Sequence, residues 1–127
     1  MNKKFAGVLA ATVMLVAGPA LAQACDVKLG KKTFRACAAC HKLDEGKHGV
    51  GPSLHGVVGR AAGTADGYKY SKSMTEFGSG GKVWDAALLD EFLTKPKALV
   101  KGTKMSYGGL KKDDRRAALI CYLDSVK

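Results

Sequence analysis

An all-α fold is predicted by three features of the sequence. Apolar residues recur at spacings of three and four in segments near both ends and past the middle, and no segment alternates convincingly with period two. Glycines punctuate the stretch from Gly46 to Gly81, which therefore holds no long helix but can wrap a rigid object at close backbone range. At the end of the first helical segment begins Cys37-Ala-Ala-Cys-His41, with two thiols three positions apart and an imidazole behind the second.

The chain opens with Lys3 and Lys4, then an apolar run from Phe5 to Val16, then Gly18-Pro19 and Ala20-Leu21-Ala22. A basic start, an apolar run too short to span a bilayer and a small-x-small site make a secretory signal peptide. Cleavage is expected after Ala22, with Ala22-Gln23-Ala24 as a second site two residues on. The division is then a signal peptide over residues 1–22 and a single domain over 23–127. An uncleaved anchor is the rival, and lipoprotein processing at Cys25 is disfavoured by Ala22 and Gln23. Removing residues 1–22 of 127 leaves 105, which suits one domain with one core. Two lysines leave with the signal, so the formal net charge falls from +10 to +8. The expected product is a basic protein in an oxidising compartment, the periplasm. Basicity there suits anionic lipid or an acidic protein, and export argues against nucleic acid.

The first helix is expected over Asp26–Ala38. Asp26 can cap or charge its start, and Val27, Gly30, Phe34 and Cys37 share one face. Gly30 lies mid-helix, where glycine costs ~1 kcal/mol against alanine. Its use would be the close approach of another helix. Ser71 can cap a short helix through Met74 and Phe77. Trp84–Lys95 reads as a helix with Asp85 as N-cap and Trp84, Leu88, Leu89, Phe92 and Leu93 as its stripe. Pro96 stops it, and a short turn runs through Leu99. A loop from Lys101 to Gly109 carries Met105. The last helix is expected over Asp113–Val126, with Asp113 and Asp114 near its positive end and Leu119, Tyr122, Leu123 and Val126 as its buried stripe. The first and last helices are natural partners for a crossing at Gly30, with Tyr122 opposite.

Cys37–His41 suits one chemistry well. The thiols add across the two vinyl groups of a haem, and the imidazole becomes an axial ligand of the iron. A structural zinc site needs four ligands, and Cys25 and Cys121 supply no second pair. A thioredoxin-like dithiol expects a βαβ setting. One covalent haem c per chain is therefore expected, attached at Cys37 and Cys40 with His41 on the iron. Past the signal segment the methionines are Met74 and Met105. Met105 has no apolar stripe to complete, so its thioether is the expected second ligand. The alternatives are Met105 as core filler, a bis-imidazole haem using His48 or His55, and an open sixth position, which would mean gas binding or peroxide chemistry. His/Met iron has no open position. It can only take up and release one electron, which makes a carrier and not an enzyme. Axial ligands move haem potentials over roughly 0.8 V, and a thioether raises the potential.

Gly30-Lys-Lys-Thr-Phe34, Cys37–His41, Gly51-Pro-Ser-Leu-His-Gly56, Gly59-Arg60, Tyr68-Lys-Tyr70, Trp84, Pro96-Lys97, Gly102-Thr-Lys-Met105 and Tyr122-Leu123 stand in one order. In these motifs the chain resembles the class I cytochromes c, most of all the bacterial cytochrome c2 branch, from Gly30 to Leu123. The resemblance implies crossed terminal helices, a middle helix and Gly-rich loops around one haem. It also implies that the Pro52 carbonyl orients His41, and that Arg60, Tyr70, Trp84 and Thr103 hold the propionates. His48 would tie two loops together and leave the iron alone. Two departures follow. Phe92 stands where the family often has a tyrosine that reaches the ligand sulfur, and Met74 replaces a polar residue near the haem. The helix crossing would bring Cys25 and Cys121 close, so a disulfide between them is expected in an oxidising compartment.

Lys97, Lys101, Lys104, Lys111 and Lys112 flank the Met105 loop, and Lys31, Lys32 and Lys42 flank the haem motif. As a set they suit docking onto acidic patches of redox partners. By resemblance the donor is a membrane quinol–cytochrome c oxidoreductase and the acceptor a terminal oxidase or a photosynthetic reaction centre. No stable oligomer is expected.

Overall fold

A computed structural model describes Met14 and residues 24–127. The expected signal segment, apart from Met14, lies outside the described residues, and so does its cleavage site. Among the described residues five helices follow in order: α1 (Val27–Phe34), α2 (Lys72–Ser79), α3 (Ala86–Thr94), α4 (Pro96–Leu99) and α5 (Asp113–Asp124). Among the described residues the extended pairing is a single antiparallel bridge between Ala61 and Val83.

The expected crossing of the terminal helices is present. Asp26 caps α1 by accepting a hydrogen bond from the Leu29 amide at 2.8 Å. A Cβ built on Gly30 would meet the Ala118 carbonyl and come within 2.6 Å of the Tyr122 Cβ. Only glycine lets α1 and α5 approach this closely. Phe34 then packs against Tyr122 with ring centroids 5.8 Å apart. Phe34, Leu119 and Leu123 are buried, each contributing about 1.5–3 kcal/mol by removal from water.

Helix α1 ends at Phe34, four residues earlier than expected. The amides of Arg35, Ala36 and Cys37 reach back three residues, to Lys32, Thr33 and Phe34, instead of four. This tighter winding ends the α ladder before the cysteine motif. Trp84 is likewise not part of the middle helix. Asp85 is extended and caps α3 through the Leu88 amide at 2.8 Å, so the residue before it cannot be helical. Trp84 instead exchanges backbone bonds with the 59–60 segment: Gly59 N–H to its carbonyl at 2.8 Å, and its own N–H to the Arg60 carbonyl at 2.9 Å. Its ring still joins the α3 stripe, 4.9 Å from Phe92. Pro96 ends the middle helix and starts α4. Helix α5 stops at Asp124: the Val126 amide reaches back three residues to the Leu123 carbonyl at 3.1 Å, and the Val126 carbonyl accepts from the Gly56 amide at 2.9 Å.

Arg116 fastens α5 to its surroundings. Its guanidinium is buried, and donates to Asp90 on α3 at 2.8 Å, to Asp113 at 2.6 Å and to the Leu110 carbonyl at 2.7 Å. Leu110 closes the loop that carries Met105. The charged head of the last helix is therefore an anchor for that loop.

Candidate functional site

The helices and the glycine-rich loops enclose a mainly apolar cavity of about 310 Å³. Cys37, Cys40 and His41 line it, and so do Met74, Met105 and Phe92. The cysteine motif is wound as a turn, with the Cys40 and His41 amides both donating to the Cys37 carbonyl, at 3.1 and 3.0 Å. That winding puts both thiols at the cavity. Burial, and then the neighbouring Cys40, push the Cys37 thiol up from its ordinary pKa.

His41 is held on two sides. Its Nδ1–H donates to the Pro52 carbonyl at 2.8 Å, which leaves Nε2 as the nitrogen free for a metal. A Cβ on Gly51 would fall 2.7 Å from His41 Nδ1, so the ring lies flush against bare backbone. Burial pushes the His41 pKa down; the Pro52 bond opposes that shift, and the Arg60 charge adds to it. A neutral ring with one nitrogen committed is the form a metal ligand needs.

His48 and His55 are turned to other work, and neither lines the cavity. His48 accepts from the Ser53 amide at Nδ1, 2.9 Å, and donates from Nε2 to the Asp66 carbonyl, 2.7 Å. It joins two loops, as the resemblance implied. His55 donates from Nδ1 to the Leu43 carbonyl at 3.1 Å. Met74 and Met105 both line the cavity. Met74 sits on α2 behind the Ser71 cap and is buried in the core. Met105 lies in its loop, half-buried, with its amide donating to Thr103 Oγ1 at 3.3 Å.

Arg60, Tyr70, Trp84 and Thr103 come together at the same cavity. The Arg60 guanidinium donates to the carbonyls of His55 at 3.1 Å and Ser53 at 3.0 Å. Its Nε is buried with no partner. No carboxylate among the described residues forms an ion pair with it. Burial pushes its pKa down, and Tyr70 opposes that shift. A cation part-withdrawn from water without a counter-ion is costly unless an anion joins it. A haem fits the chemistry on both counts: vinyl-reactive thiols beside a free imidazole nitrogen at one part of the cavity, and an uncompensated guanidinium for a carboxylate at another.

Three contributors were given no role by the sequence, although Ser53 and Tyr68 stand in the matching motifs. Ser53 is buried and donates to the Asp44 carbonyl at 2.6 Å, fixing the segment that orients His41. Tyr68 donates to the Val50 carbonyl at 2.7 Å, and its ring stacks edge-on to Tyr70 at 4.8 Å. Tyr107 lines the cavity two residues past Met105, and burial raises its phenol pKa. An aromatic so close to Met105 in a Gly-flanked loop was the available signal for Tyr107. Ser53 had none beyond its place in a motif. The lysines at 42, 97, 101, 104, 111 and 112 are all exposed. Lys104 is not simply solvated, because its Nζ donates to the Lys69 carbonyl at 2.9 Å and ties the Met105 loop to the Tyr68–Tyr70 loop. Cys25 and Cys121 stand with their sulfurs together and their Cα atoms 5.7 Å apart.

A family model for cytochrome c matches residues 27–127. Over 103 residues the chain is 44% identical to a cytochrome c2 of Rhodoblastus acidophilus, covering 80% of this chain and 94% of that one. It is 46% identical over 102 residues to a c-type cytochrome, cyt cy, of Rhodobacter capsulatus, covering 80% of this chain but 49% of the relative. The chain thus spans about half the length of that relative. Among solved structures it is similar to cytochrome cH from Methylobacterium extorquens, with a TM-score of 0.72 and 42% identity over 79% of this chain and 98% of that one.

Proposed function

The chain belongs to the cytochrome c family, of the class I, cytochrome c2-like kind, and we propose that it is a periplasmic one-electron carrier with His41 and Met105 as the two axial ligands. Members of the family carry one covalently bound haem c, which supplies a single iron that alternates between two oxidation states. Everything else is done by the chain. Cys37 and Cys40 would hold the group through thioethers. His41 would donate to the iron through Nε2, with its ring fixed by the Pro52 carbonyl. Met105 would supply the second ligand, with its amide held by Thr103. Arg60, Tyr70, Trp84 and Thr103 would take the propionates. Apolar Met74 and Phe92 exclude water, so little solvent needs to reorganise when the electron moves.

The observation that carries this reading is the convergence of His41, with its Nδ1 committed, and Met105 on one mainly apolar cavity. With both ligands in place no position is left for a substrate. The Cys25–Cys121 pairing is proposed as a disulfide, in keeping with an oxidising compartment.

The exposed lysines around the Met105 loop and beside the cysteine motif suit acidic docking patches on membrane redox complexes. The proposed donor is a quinol–cytochrome c oxidoreductase, and the acceptor is a terminal oxidase or a photosynthetic reaction centre. Such patches raise the encounter rate and permit rapid release. Stopped-flow reduction and oxidation by these purified complexes test it. The expected rates fall steeply between low and physiological salt. Rates that ignore salt count against lysine docking, and no electron exchange with any of the complexes counts against the carrier role.

A further inference from the structure

The hydrogen bonds of His48 lead to His41 without touching it. The Pro52 carbonyl and the Ser53 N–H are the two ends of one peptide unit. His41 Nδ1–H donates to the carbonyl end at 2.8 Å, and the N–H end donates to His48 Nδ1 at 2.9 Å. Because Nδ1 accepts, the His48 proton is on Nε2, which donates to the Asp66 carbonyl at 2.7 Å. Every bond in the series points the same way, from His41 through the peptide to His48 and on to Asp66. The peptide is also clamped. Ser53 is buried, its hydroxyl donates to the Asp44 carbonyl, and its own carbonyl accepts from Arg60. The His48 ring is steadied by Tyr68, with centroids 5.5 Å apart.

A hydrogen bond accepted from a peptide N–H draws electron density toward the carbonyl oxygen at the other end. Hydrogen bonds in series therefore strengthen one another, by about 10–30% per bond. We propose that His48 is a positioning residue for electron transfer: acting through the Pro52–Ser53 peptide, it strengthens the bond from His41 Nδ1–H and so sets how strongly His41 donates to the iron. The proposal rests on the haem reading above, with His41 as ligand. Its direction is fixed. A stronger bond at Nδ1 makes the imidazole more electron-rich, favours the ferric state and lowers the potential. Loss of the His48 acceptor raises it.

Two variants of the haem-loaded protein separate this role from a mere loop tie. His48→Asn keeps an acceptor oxygen near the Nδ1 position and loses the bond to Asp66. His48→Phe loses both. Their midpoint potentials are read by spectroelectrochemistry beside the wild type, with visible spectra and thermal melts as controls for ligation and folding. The expected result is a potential near wild type for H48N and a raised one for H48F. The rise is less than tenfold in the reduction equilibrium, which is below about 59 mV for one electron. Equal shifts in both variants mean a loop tie alone and overturn the proposal. An unchanged potential in H48F, with its spectrum intact, overturns it as well. If H48F fails to load haem, His48→Val serves as the acceptor-free variant under the same two criteria. A wild-type spectrum without a low-spin, six-coordinate iron strikes the ligation reading itself and takes the proposal with it.

Discussion

His41 is gripped between the Pro52 carbonyl and the bare backbone of Gly51. The pair Gly51-Pro52 therefore acts as a seat for one ring. Gly51→Ala places a methyl inside that ring and forces it off the Pro52 carbonyl. The expected cost is about 1–3 kcal/mol of stability, read in a denaturant melt, together with a shifted midpoint potential. A variant with the stability and potential of the wild type would show that the ring is not seated there. The Cys-Ala-Ala-Cys-His run was legible because its spacing is local. Met105 was legible as a thioether without a stripe to complete. The bonds of His48 and Ser53 were not, because they join residues five to eighteen positions apart across loops that no periodicity describes.

At the scale of elements, two contacts hold the site in place: the crossing of α1 with α5, and the Arg116 anchor. Gly30→Leu puts a side chain where the Ala118 carbonyl and the Tyr122 Cβ already stand. It is expected to force the helices apart and lower stability by at least about 1–3 kcal/mol, measured by thermal unfolding of the haem-loaded protein. Arg116→Met leaves the Leu110 carbonyl without its donor, at about 1–3 kcal/mol. Its more telling effect is local: amide exchange in residues 100–112 is expected to quicken more than in α1. Uniform quickening would mean that Arg116 serves the whole fold and not the Met105 loop. The sequence made the glycine crossing readable, since a helical glycine on an apolar face asks for a close neighbour. It could not say which of Arg115 and Arg116 is buried, because that depends on Asp90 in another helix. Trp84 was misplaced for a related reason. Its spacing to Leu88 fits a helical stripe, but its backbone is claimed by Gly59 and Arg60, a pairing between distant segments.

Across the whole molecule, one cavity gathers side chains from the cysteine turn, the central loops, α2, α3, the Met105 loop and α5. Most of the chain therefore depends on what fills it. The proposed Cys25–Cys121 disulfide, between residues 96 apart in sequence, would close most of the chain into one loop. Selective reduction is expected to lower stability by about 2–5 kcal/mol while leaving the haem attached, because its thioethers are separate bonds. Mass spectrometry without reduction checks the premise, and alkylation of two free thiols would refute the link. The central claim is that the cavity holds a six-coordinate iron between His41 and Met105, with no position open to a substrate. It is tested most directly by the visible spectrum of the native protein, taken before and after exposure to carbon monoxide. The account predicts a weak ferric band near the red end, lost in Met105→Ala, and a ferrous spectrum that carbon monoxide leaves essentially unchanged. Absence of that band, with ready carbon monoxide binding by the native protein, would contradict it and point to an open-site haem protein instead.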